Sequence, residues 1–196
     1  MTIGIGWTNG NGAILACDQQ QTYGQDKDFS GDKHFEVRGF HGVLAGAPSA
    51  WYFVEQCLFT ASMHGVRVND VREVGVRAFA STLRSAVEDY GWLPEMVPGK
   101  APYWEISMLL TDGRKLFEIN TNLIPREVPL GQFVAIGSGW DQALAVCTAM
   151  YRAPYTLPEG VVITTAVECA IAHSLACGGS AQTFDVLPPE GTRLVW

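Results

Sequence analysis

The order in which apolar periodicity changes along the chain constrains its fold more than any other feature. Within the first fifty residues the apolar side chains come in short runs, at 2–8, 13–17, 35–37 and 42–46. Such runs, bounded by turn residues, read as buried strands, and Asn9-Gly10-Asn11-Gly12 is a strong hairpin signal between the first two. Helical spacing follows. Ser49 suits the N-cap of a helix that carries Trp51, Val54, Cys57, Leu58 and Ala61 on one face and ends near Gly65. A second helix starts at Asn69 or Asp70, presents Val71, Val74, Ala78 and Val87, and stops at Gly91. Residues 92–102 form a loop rich in Pro and Gly. Strands resume at 106–110 and 116–119, around an Asp112-Gly113 turn, and at 133–136. A third helix follows Gly137-Ser138-Gly139 and runs through Met150, with Pro154 and Pro158 ending it. A fourth spans 164–176 and is closed by Gly178-Gly179, and a last strand covers 182–187. This order suits an α+β domain over residues 1–196, with two sheets face to face and helices outside them.

Composition narrows the partners. At 47% hydrophobic and 17% charged the chain is too apolar for disorder, and a formal charge of −7 disfavours nucleic acid or an anionic membrane as its main partner. No apolar run approaches the ~18 residues that would span a bilayer, and the first basic side chain is Lys27, too late for a signal peptide. A cytoplasmic location is expected. The five cysteines, Cys17, Cys57, Cys147, Cys169 and Cys177, are odd in number and lack metal-ligand spacing, so they read as reduced, packed thiols with no metal site.

Four short features carry chemistry. Removal of Met1 would leave Thr2 with a hydroxyl and a free amine on adjacent atoms, a nucleophile and a base in one residue. The reference pKa of an α-amine, about 7.7–8.0 against about 10.4 for lysine, lets it take a hydroxyl proton at neutral pH with little tuning. Asp18 ends an apolar strand, an expensive place for an unpaired carboxylate. Lys33 is its natural partner, and a lysine near Thr2 would lower the proton affinity of hydroxyl and amine. Gly46 ends a strand where its N–H can serve as an oxyanion donor, and Gly137-Ser138-Gly139 is a tight turn able to aim a hydroxyl. Each feature alone is ordinary: an edge-strand threonine, a turn aspartate, a surface lysine, a glycine turn.

Together these residues resemble the proteasome β-subunit family of N-terminal-nucleophile hydrolases, including the bacterial HslV-type peptidases. The likeness runs from the Thr2 strand through Ala16-Cys17-Asp18, Thr22, Lys33-His34-Phe35-Glu36-Val37 and Leu44-Ala45-Gly46 to Ala135-Ile136-Gly137-Ser138-Gly139. It implies a four-layer αββα sandwich of two antiparallel sheets flanked by helices. It implies Thr2 as nucleophile with its own amine as base, Asp18 and Lys33 as the supporting pair, Gly46 as oxyanion donor and Ser138 assisting at the amine. Thr22 and Gly46 would bind an extended substrate, and small Ala45 would leave a roomy apolar pocket. The implied assembly is a homo-oligomeric stack of rings, six or seven subunits each, cleaving peptides or unfolded proteins. An ATP-dependent unfoldase would feed it, and the chemistry needs no cofactor. The alternatives are a small-amide hydrolase of the same class and a ring-forming scaffold without activity.

Two departures stand out. Counted back from Gly46, the spacing to Lys33 is one residue longer than in HslV-type chains, which makes His34 a competitor for the lysine position. Ser174 and Cys177 precede Gly178-Gly179 where the family commonly carries Asp and Ser. A cation site of backbone carbonyls near Cys177 would be inherited from the same resemblance.

Overall fold

The computed structural model describes residues 2–23, 26–28, 33–37, 40–46, 73–89, 91, 95–96, 98–99, 103–154, 156–175 and 177–188. The helix expected from Ser49 to Gly65, and with it Trp51 and Cys57, lies outside them.

Among the described residues two antiparallel sheets form the body. One has four strands in the order β10 (Val134–Gly137), β1 (Ile3–Thr8), β2 (Ala13–Cys17), β11 (Gln182–Val186). The other has five in sequential order: β5 (His34–Val37), β6 (Phe40–Gly46), β7 (Ile106–Thr111), β8 (Leu116–Ile119), β9 (Pro125–Val128). A separate hairpin pairs β3 (Gln21–Tyr23) with β4 (Asp26–Asp28). The described helices are α1 (Glu73–Asp89), α2 (Trp140–Tyr151) and α3 (Glu159–His173).

Strand parity sorts the apolar side chains into three cores, one for each interface between four layers. Ile3, Ile5 and Trp7 of β1 turn outward to α2 and α3, where small Ala143, Cys147, Ala166 and Ala170 let the helices sit close. Leu15, Cys17, Val43, Leu109, Leu116 and Ile136 meet between the sheets. Leu44, Met108, Leu110 and Phe117 face α1 through Val76, Ala80, Leu83 and Val87. With both faces of each sheet covered, the strands read as apolar runs rather than as alternation. On β1 the inter-sheet positions are Gly4 and Gly6. A Cβ at Gly4 would meet Ile136 at 3.0 Å and Val43 at 3.1 Å, so the opposing side chains occupy that space.

The αββα sandwich expected from the resemblance is therefore the observed fold, with four differences in its elements. The buried stripe of α1 is Val76-Ala80-Leu83-Val87, and Ala78 is exposed. The bulkier stripe prevails over the one through Ala78, although Gly91, at φ +74, does close the helix. Helix α3 begins at Glu159, immediately after Pro158, because a proline at a helix start removes only an N–H that would be orphaned anyway. It ends at His173, before the expected 176, because Ser174 is extended. The β3–β4 hairpin and the polar edge strand β9 were not expected from the sequence. No helix among the described residues is long and apolar enough to cross a membrane.

Candidate active site

Thr2 lies one residue ahead of β1 and continues the parity of Gly4 and Gly6, so it meets the seam between the sheets where that seam opens. Its carbonyl accepts the Ser138 N–H at 2.7 Å, which ties the head of β1 to the turn after β10. Gly137 makes that contact possible. Its φ is +87, and a Cβ there would lie 2.0 Å from the Thr2 carbonyl oxygen.

Asp18 follows β2 and is fully buried. Its Oδ1 accepts the Ile3 N–H at 3.0 Å and the Lys33 ammonium at 2.7 Å, and its Oδ2 accepts the Gly178 N–H at 3.0 Å. Three donors thus satisfy a carboxylate that burial alone would penalise. Lys33 is equally buried, and that burial pushes its ammonium below the ordinary lysine range while Asp18 pulls the other way. His34, the competitor by spacing, stands elsewhere. Its ring stacks on Phe184 at 4.0 Å and its Nε2 is 3.2 Å from Nδ1 of His41.

The segment after α3 braces this pair. Gly178 accepts the N–H groups of Gln19 and Gln20, both at 3.1 Å, while donating to Asp18. Cys177 is buried beside it, and a Cβ on Gly139 would come within 3.0 Å of its Sγ. Burial pushes the Cys177 thiol up, the Asp18 charge adds to this, and a hydrogen bond with Ser174 opposes it. Gly178 was not anticipated as an Asp18 donor, since nothing in a Gly-Gly pair announces where its N–H points.

Thr2, Ala45, Gly46 and Ser138 share the wall of one cavity of about 900 Å³. Thr22 lies in β3 opposite Lys27. The lining of that cavity is mixed: apolar Ile106, Val128, Phe133 and Val134 stand in it beside Ser107, Glu118, Asn120 and Arg126. Among the described residues no cluster of His, Cys, Asp and Glu is suited to hold a metal ion. The assembly is a threonine lining a cavity, a buried ion pair bonded to the next residue's N–H, and a strand-end glycine lining the same cavity. Such a set can support nucleophilic attack on a carbonyl.

Solved structures share this architecture. Thiobacillus denitrificans BPH has a TM-score of 0.76 over 97% of this chain and 100% of that one, at 18% identity. The same protein in complex with epoxomicin has a TM-score of 0.73, covering 96% of this chain and 100% of that one at 19% identity. Eukaryotic HslV from Trypanosoma brucei has a TM-score of 0.68 over 95% and 99% of the two chains, at 15% identity. No protein-family model matches the chain, and no curated protein matches it in sequence. The chain has the fold of the N-terminal-nucleophile hydrolases, in the form seen in HslV.

Proposed function

We propose that the chain is a threonine-type peptidase subunit acting by acyl transfer through Thr2. The observation that carries this reading is the buried Asp18–Lys33 pair, bonded to the Ile3 N–H directly beside a cavity-lining Thr2. Removal of Met1, which lies outside the described residues, frees the Thr2 amine. That amine takes the hydroxyl proton as the oxygen attacks a peptide carbonyl, and Ser138 assists it. The Lys33 charge lowers the proton affinity of the hydroxyl, and the Gly46 N–H stabilises the oxyanion. The proton passes to the leaving amine, and water then hydrolyses the Thr2 ester. Thr22 and Gly46 hold the substrate backbone, with Ala45 beneath it. The subunit works in the cytoplasm in stacked rings of six or seven copies, on peptides or on proteins unfolded by an ATP-dependent partner.

A protein of this fold has been solved with epoxomicin, which makes that compound the natural probe. Mass spectrometry should show chains lacking one methionine, with epoxomicin attached to the Thr2 peptide. Thr2→Ala should assemble, stay unmodified and cleave nothing. Full peptidase activity from chains shown to retain Met1 would exclude the free-amine mechanism.

A further inference from the structure

Three polar residues of the cavity lining, Ser107, Glu118 and Arg126, have no part in this acyl transfer, and strand parity explains their place. Leu109, Leu116 and Val128 point into the seam between the sheets and are buried. Ser107, Glu118 and Arg126 stand two residues along the same three strands and therefore on the same face. Polar groups at inward positions are costly where sheets close over them. Here the seam opens instead, and all three line the cavity that also touches Thr2 and Ala45.

The charges there are unequal. Glu118 is 19% exposed and Arg126 71%, so the carboxylate sits deeper and the guanidinium nearer solvent. Arg126 places both Nε and Nη2 on a single oxygen, Oε2 of Glu118, at 3.2 and 2.5 Å. Exposed Glu105 adds a second carboxylate to the lining. Two carboxylates against one guanidinium leave this wall net negative in a space of ligand-pocket size, ~300–1,000 Å³.

We propose that this side of the cavity is a substrate subsite for a basic side chain, lysine or arginine. Glu118 and Glu105 determine its specificity, and Arg126 holds Glu118 while limiting its pull. The proposal rests on the reading of Thr2 as nucleophile. A bound cation meets Glu118, the deeper of the two carboxylates, where screening by solvent is weaker than at exposed Glu105.

The test uses fluorogenic peptides identical except for one residue, set in turn to Lys, norleucine or Glu at each position flanking the cleaved bond. At one position kcat/KM should rank Lys over norleucine over Glu. Glu118→Gln should lower the Lys-to-Glu ratio by about fivefold, the upper range for part-exposed charge pairs, and Glu105→Gln by less. Arg126→Gln should raise the ratio. The opposite signs are decisive, because a merely structural Glu118–Arg126 pair would make both variants shift the ratio alike. Ratios independent of charge at every position, or shifted the same way by both variants, overturn the proposal. Failure of the Thr2 reading is seen separately, as no epoxomicin adduct and no cleavage of any peptide. In that case fluorescence anisotropy of the labelled Lys and Glu peptides decides: tighter Lys binding with opposite shifts upholds the subsite, and equal binding overturns it.

Discussion

Asp18 accepts three donors from three separate segments, Ile3, Lys33 and Gly178. Lys33→Ala would leave this carboxylate buried without its cation, at a cost of about 3–5 kcal/mol. We expect the assembly to survive this loss with turnover and Thr2 modification abolished, while His34→Ala, which removes a ring stacked on Phe184, has a much milder effect. The reverse ranking in a peptidase assay would transfer the lysine's role to His34. A second residue-scale prediction concerns alkaline pH. Burial pushes the Cys147 thiol from 9.0 to about 12. A pKa raised in the folded state means stability that is whole below pH 9 and lost as pH rises towards 12, at about 1.4 kcal/mol per pH unit. Lys33 acts oppositely. Its pKa is lowered from 10.5, so the unfolded chain holds the extra proton and the penalty fades as pH approaches 10.5. Both variants of a pair share the Lys33 contribution. Urea unfolding from pH 7 to 10.5 should therefore show Cys147→Ala losing less stability above pH 9 than wild type, and parallel curves would refute the assignment.

At the scale of elements, the turn between β10 and α2 is fixed by contact as much as by conformation. Gly137 and Gly131 both have positive φ, +87 and +76, but only Gly137 has backbone where a Cβ would go. Gly131→Ala should cost about 1–2 kcal/mol, the left-handed penalty alone. Gly137→Ala should cost distinctly more and slow epoxomicin addition, because the methyl displaces the Thr2 carbonyl. Equal losses in thermal unfolding would show that the Thr2 contact contributes nothing. Most elements were legible in sequence because a covered strand shows an apolar run and a covered helix an apolar stripe. The exceptions share a cause. In sequence Pro158 reads as the end of one helix but it caps the start of the next, and β9 hides behind Pro125-Arg126-Glu127 because an edge strand need bury little.

At the scale of the whole molecule, the described surface exposes Trp140 and Tyr151 at the two ends of α2 and Leu175 beyond α3. We expect stacked double rings of six or seven copies per layer, and light scattering at micromolar concentration should report a particle of that mass. A monodisperse monomer would refute the assembly. Ring and peptidase stand or fall by different measurements, since Thr2→Ala should abolish one and spare the other.

The sequence by itself determined the layers. Apolar runs and stripes dictate which segments must be covered on both faces, and two covered sheets with helices outside is the arrangement that covers them. It also marked Asp18 and Lys33 as partners, because a carboxylate closing an apolar strand demands a cation. What tertiary structure alone decided are the contacts between segments remote in the chain: Gly178 on Asp18, Ser138 on Thr2, and Ser107, Glu118 and Arg126 in one cavity with Thr2. Their residue types are unremarkable in place, and polar side chains on exposed strand ends look like solvated surface. Only the pairing of β7, β8 and β9 reveals that they share the inward face, at the point where two sheets part.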